Sequence, residues 1–304
     1  MATRRDIELI GIPLEAGAGR RGCVMGPDCY RTAGLAKTLA ELGHNVSDRG
    51  NISPDTLRKV EVTGNARNAA TVAAWTRAID AAGEAAGDAT PIFMGGDHSL
   101  SVGSVNAMAR RAKTQGRPLI ALWLDAHSDF NTPASSPSGN IHGMPVAALT
   151  GTEGLDFLFD GIERAILPPD AFHMFGIRSV DAEERRQLRA KGLNVIDMRQ
   201  IDEQGTARLM AGIIERAAKA NAMLHVSLDV DFLDPTIAPA VGTTVSGGAT
   251  YREAHLVMEM LADSGLVTSL DLVELNPFMD HAGASARVMV DLVASLFGRT
   301  IMDR

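Results

Sequence analysis

The chain is predicted to be α/β, with a mostly parallel central sheet and helices on both faces. Three observations predict this. Short apolar runs alternate with longer segments of helical pattern along the whole length. The apolar runs are mostly continuous rather than strictly alternating, as strands buried on both faces require. Acidic and imidazole residues gather where three of these runs end, and open α/β sheets bind their ligands beyond the carboxyl ends of strands.

Taken in order, residues 7–12 form the first strand, closed by Pro13. Residues 27–42 read as a helix, because Leu35, Leu39 and Leu42 recur at helical spacing and Gly43 supplies a stop. A helix over 66–86 leads to a strand at 91–94, which runs into the tight turn allowed by Gly95-Gly96. A helix at 101–115 and a strand at 119–124 follow. The Ser, Pro, Gly and Asn content of 131–140 forbids a regular element and makes it a rim loop. Beyond it come a strand at 172–177, helices at 182–191 and 206–221, and a strand at 223–228. A helix at 251–263, a strand at 266–275 and a helix at 284–297 complete the pattern.

The chemistry sits in Gly95-Gly96-Asp97-His98, Asp125-Ala126-His127-Ser128-Asp129 and Asp229-Val230-Asp231. Each follows an apolar run, so all three face one edge of the predicted sheet. Within the second and third, the polar residues alternate and project to one side at strand-like spacing. Four carboxylates packed together repel, and some must protonate unless cations neutralise them. Two divalent ions bridged by carboxylates lie roughly 3.5–4 Å apart in two-metal hydrolytic sites. An oxygen-rich set with two imidazoles and no thiolate suits Mn2+ better than Zn2+.

The 304 residues are 45% hydrophobic, enough for a sizeable core. A net charge of -8 argues against nucleic acid as a partner. Cys23 and Cys29 are too few for a disulfide framework or a thiolate zinc site, and fit a reducing cytoplasm as free thiols. The apolar stretch after Asp6 is too short for a signal peptide, and no run approaches a membrane span.

At these residues the chain resembles the arginases of the ureohydrolase superfamily. The stretches that carry the resemblance are GAGRRG (17–22), GGDHSL (95–100), DAHSDFN (125–131), SGNIHGMP (138–145), FGIRSVD (175–181), SLDVDFLDP (227–235) and LVELNP (272–277). They span nearly the whole chain in the family's order. The resemblance implies one three-layer α/β/α domain over residues 1–304 and two Mn2+ per subunit. It matches His98, Asp125, Asp129 and Asp229 to the ligands of one ion. Asp125, His127, Asp229 and Asp231 match those of the other, with Asp125 and Asp229 bridging.

The implied reaction is hydrolysis of the linear amidine of L-arginine to L-ornithine and urea by a hydroxide that bridges the two ions. Asp129 is similar to the residue that holds this hydroxide and relays its proton. His142 matches a proton shuttle, Glu274 the carboxylate that orients the guanidinium, and Thr243 a supporting hydroxyl. A buried salt bridge is the structural alternative for Glu274. Asn131, Ser136 and Ser138 match groups that hold the α-carboxylate, and Asp181 and Glu184 those that hold the α-amino group. Asp181 also begins a predicted helix and reads equally as its cap.

This set favours arginine over agmatine, and another ureohydrolase activity, agmatinase or guanidinobutyrase, is the nearest alternative. A catalytically silent, arginine-binding regulatory partner is the alternative outside enzymology. The chain stops soon after Phe297-Gly298, which resembles a bacterial-type member. A cytoplasmic homo-oligomer, trimer or hexamer, is expected by the same resemblance. His44, His173, His225, His255 and His281 fall in no matching motif and read as structural or surface residues.

Overall fold

The computed structural model describes residues 4–302. Eight strands form one sheet: β1 (Asp6–Ile12), β2 (Asn45–Asn51), β3 (Thr90–Gly95), β4 (Leu119–Leu124), β5 (Phe172–Ile177), β6 (Asn194–Asp197), β7 (Met223–Asp229) and β8 (Val267–Val273). Every pairing is parallel, in the order β2-β1-β3-β8-β7-β4-β5-β6. The helices are α1 (Gly26–Thr32), α2 (Leu35–Glu41), α3 (Ala69–Ala85), α4 (Ser101–Thr114), α5 (Pro145–Leu149), α6 (Ala182–Lys191), α7 (Met198–Gln204), α8 (Thr206–Lys219), α9 (Tyr251–Ser264) and α10 (Ala284–Leu296).

Two apolar clusters cover the two faces. Ile120, Leu122 and Leu124 of β4 pack with Met210 of α8, Met258 of α9 and Leu292 of α10. Leu119, Ala121 and Trp123, pointing the other way, pack with Val72 of α3, Val105 of α4 and Val146 of α5. The period-two alternation of a strand therefore sends its apolar residues into both layers. This is the sheet with helices on both faces expected from the repeated strand–helix order, and the three-layer α/β/α arrangement that the resemblance implies.

Three departures from the predicted elements have physical causes. The helix expected over 27–42 is two helices, because Gly34 adopts φ 89° and ends the helical path after α1. Strands β2 and β6 are the two sheet edges. Their sequences, NVSDRGN and NVID, are largely exposed or half-buried and lack the apolar signature of the central strands. The last predicted strand ends at Val273, and Glu274 turns out of it at φ 64°.

Strands β3, β8, β7 and β4 are neighbours at the centre of the sheet. Their carboxyl ends deliver His98, Glu274, Asp229 and Asp125 respectively to one place. Among the described residues, no helix is long and apolar enough to cross a membrane.

Candidate metal centre

The turn after β3 is held against the first strand's exit. Gly96 N–H donates to Ile12 O at 3.1 Å and Asp97 N–H to Leu14 O at 2.8 Å. A side chain at Gly96 has no room, since a Cβ there would lie 2.2 Å from Leu14 O. The turn places His98 beneath the ends of β4 and β7. His98 Nδ1 lies 3.0 Å from Asp125 Oδ2, and 3.1 Å from both Asp129 Oδ2 and Asp229 Oδ2. His127 Nδ1 lies 3.0 Å from Asp231 Oδ2 and 3.5 Å from Asp125 Oδ1.

Two groups of potential ligand atoms result: His98, Asp125 and Asp229, and Asp125, His127 and Asp231. Asp125 belongs to both, with one oxygen toward each imidazole. Asp229 joins the first group, while its Oδ1 accepts the N–H of Asp231 at 2.8 Å. Asp129 reaches the first group through His98.

The electrostatics describe a site that draws in positive charge. Burial, then Asp231 and Asp125, raise the Asp229 carboxyl well above its ordinary range. Burial and the Asp125 charge lift Asp129 to about 7. Burial opposes the charge on Asp125, but His127 and His98 outweigh it and hold its pKa down. Burial also disfavours charge on His127, yet Asp125 and Asp231 drive its pKa up to about 12. His98 is raised well above 6.5 against the same burial penalty, by Asp125, Asp129 and Asp229. His98 Nδ1 and Asp125 Oδ2 are buried with no hydrogen-bond partner despite their proximity. Orphaned donor atoms at such crowding, carboxylate-rich and free of thiolate, fit divalent cations.

The second part of the site is an ion pair. His142 Nδ1 lies 2.9 Å from Glu274 Oε1, which also accepts the backbone N–H of His98 at 2.8 Å. Burial pushes the His142 imidazole down, but the Glu274 charge and hydrogen bond, then Asp97 and Asp129, bring it up to about 9. Glu274 is depressed below 4.5, because His142 and the His98 N–H outweigh its own burial. Asp129 and Glu274 both hold positive φ, 48° and 64°, a region costing a non-glycine residue roughly 1–2 kcal/mol. Strained backbone at two residues lining one cavity is typical of functional positions.

Every residue nominated from sequence except Asp231 lines one cavity of about 310 Å³. Asp231 lies just behind, accepting a hydrogen bond from the Thr243 hydroxyl at 3.1 Å. At the rim, Ser136 Oγ accepts Gly139 N–H at 2.9 Å and Ser138 Oγ accepts Asn140 N–H at 3.2 Å. Asn131 Oδ1 accepts the Ser135 hydroxyl at 2.9 Å, and its Nδ2 lies 3.4 Å from Asp181 Oδ2.

Asp181 does cap α6, in a capping box with Glu184. Glu184 is buried and fully engaged: one oxygen accepts Phe130 N–H at 2.7 Å, the other Asp181 N–H at 3.2 Å.

Three residues to which the sequence assigned no individual role support the site. Asp97 accepts the N–H groups of Gly17 at 2.8 Å and Ala18 at 3.1 Å, fastening the 17–22 segment beside the site. Cys23 is buried with Sγ 3.7 Å from Glu274 Oε2. Asn140 lines the cavity itself. The first two act across more than 75 residues of sequence, so no local spacing marks them.

Residues 5–298 match the profile described as the Arginase family. The chain is 54% identical over 299 residues to an arginase of Brucella melitensis, covering 98% of this chain and 97% of that one. An arginase of Agrobacterium fabrum is 50% identical over 305 residues, covering 99% and 93%. Among solved structures, the native arginase of Bacillus caldovelox aligns with a TM-score of 0.89 at 38% identity, covering 98% of this chain and all of that one.

Proposed function

This chain belongs to the arginase family of hydrolases, and we propose that it hydrolyses L-arginine to L-ornithine and urea at a centre of two Mn2+ ions. In this reading His98, Asp125, Asp129 and Asp229 hold one ion, and Asp125, His127, Asp229 and Asp231 hold the other. The four carboxylates and two imidazoles suit Mn2+ as hard and borderline donors. When bound, the ions supply the Lewis acidity that makes water nucleophilic near neutral pH.

The chain's own groups do the rest. Glu274 accepts the guanidinium N–H donors of the substrate and keeps its planar carbon facing the acidic cluster. Asp129 accepts a proton from the attacking water and passes it to the leaving amine. His142 has Nδ1 engaged by Glu274, so Nε2 is the nitrogen left to exchange protons with solvent. Thr243 steadies Asp231 through its hydroxyl.

One observation carries the choice of arginine: the rim groups are polarised as donors. Ser136 and Ser138 use their oxygens to accept backbone N–H groups, which leaves each O–H free to donate. Asn131 offers N–H donors beside them. Three donors at one rim suit a carboxylate, which arginine carries and agmatine lacks. Asp181 is exposed at the same rim and suits the α-ammonium, while the engaged Glu184 acts by holding Asp181 in place. A cytoplasmic location and a homo-oligomeric state belong to the same proposal.

The test is urea release from Mn2+-loaded protein, with arginine and agmatine compared as kcat/KM. The account expects arginine to be favoured by at least about 100-fold, the scale of the roughly 1–3 kcal/mol that each polar group left unpaired costs. Equal or better turnover of agmatine would reject it.

A further inference from the structure

A buried column of polar side chains runs from His98 away from the cavity, on the sheet face covered by α4. His98 Nε2 lies 2.8 Å from Ser227 Oγ. Ser227 Oγ lies 3.3 Å from Ser101 Oγ. Ser101 Oγ donates to Asp271 Oδ2 at 2.7 Å, and Ser104 Oγ donates to the same oxygen at 2.8 Å. His225 Nε2 approaches that oxygen at 3.0 Å, and its Nδ1 lies 2.8 Å from Ser269 Oγ. All seven side chains are essentially shut off from solvent. The register explains the alignment: His225 pairs with Ser269 and Ser227 with Asp271 across β7 and β8. Central strands of a parallel sheet normally carry apolar residues here, so the column is a costly exception.

The directions of these hydrogen bonds are not free. A carboxylate accepts and cannot donate, so Ser101 and Ser104 both point their protons at Asp271. Ser101 Oγ then has only lone pairs to offer Ser227, and Ser227 donates to it. Ser227 in turn has only lone pairs left for His98, so His98 donates from Nε2. That leaves the Nδ1 lone pair of His98 as the ligand, on the side facing Asp125, Asp129 and Asp229. Trp123 fixes the plane of the same ring, stacked at 4.1 Å between centroids and 1° between planes.

We propose that Asp271, acting through Ser101 and Ser227, is a positioning residue that sets the tautomer of the metal ligand His98. This rests on the reading of His98 as a ligand. The other imidazole ligand, His127, is half-exposed and has no such column, which makes it an internal reference.

The test uses Mn2+ titration of the chelator-stripped protein to obtain stepwise affinities, and 15N NMR of histidine-labelled, Zn2+-loaded protein to read the tautomer. Asp271→Asn can reverse the chain of donors. Ser227→Ala removes the acceptor of the His98 proton. Each is expected to weaken one of the two Mn2+ affinities by about 10- to 100-fold and leave the other within about threefold. In the parent, His98 is expected to show a protonated Nε2 and a metal-bound Nδ1, a pattern altered in Asp271→Asn.

Ser104→Ala removes a donor to Asp271 without interrupting the path to His98, and should leave both affinities unchanged. A merely structural role predicts that Ser104→Ala has an effect as large as Ser227→Ala. Unchanged affinities in both Asp271→Asn and Ser227→Ala, or a Ser104→Ala effect as large as theirs, overturn the proposal while leaving the metal centre standing. His98→Ala binding two ions as tightly as the parent overturns both.

Discussion

Replacing Glu274 by Gln isolates one charge at the centre of the site. Gln keeps the shape and an oxygen able to accept the His98 N–H, which Glu274 now accepts at 2.8 Å. It removes the negative charge 2.9 Å from His142 Nδ1. The rise of the His142 imidazole from 6.5 to about 9 corresponds to on the order of 3 kcal/mol in favour of its protonated form. Burial opposes that rise, and Glu274 is its leading favourable cause, ahead of Asp97 and Asp129. Loss of an adjacent opposite charge typically moves a pKa by about 1–3.

The sign follows from linkage. His142 has a raised folded pKa, so its contribution to stability is complete below about 6.5 and is lost as pH rises through about 9. Glu274 has a lowered pKa, so the same pair also weakens as pH falls below the ordinary 4.5 of a glutamate. The assay is an NMR titration of His142 in chelator-stripped protein, alongside Tm as a function of pH. The variant's His142 should titrate about 1–3 pH units lower. Its Tm deficit should be largest near pH 6 and close above pH 9. A His142 that still titrates near 9, or a deficit flat from pH 6 to 10, refutes the assignment.

Two further expectations concern the carboxylate cluster and its indole neighbour. Asp229→Asn relieves a carboxyl raised by burial and by Asp231 and Asp125, so the chelator-stripped variant should melt at least about 2 °C higher at pH 8 while binding fewer Mn2+ ions; a lower Tm contradicts this. Trp123 stacks on His98, so Mn2+ should quench its emission in a Trp75→Phe background; emission unaffected by saturating Mn2+ places the ion elsewhere.

The sheet and the clustering of acidic and imidazole side chains at its edge were legible because their signals are local. His98, Asp125 and Asp229 each follow an apolar run, and those runs became β3, β4 and β7. Strands β2 and β6 were not legible, since edge strands need little apolar surface. The break at Gly34 turns on one backbone angle that the helical spacing of the leucines conceals. Glu184 carried a recognisable position, yet its engagement with Phe130 and Asp181 depends on how α6 meets the loop after β4. Asp271 and Ser101 are separated by 170 residues, and only the packing of α4 on the sheet makes them partners.

The central claim is that arginine hydrolysis depends on a two-ion centre built from these six ligands. It is tested most directly by adding Mn2+ in steps to chelator-stripped protein while urea release from L-arginine is followed. The account predicts negligible activity without the ion and a plateau at two equivalents per subunit. Full activity before any ion is added, or no urea with two ions bound, contradicts it.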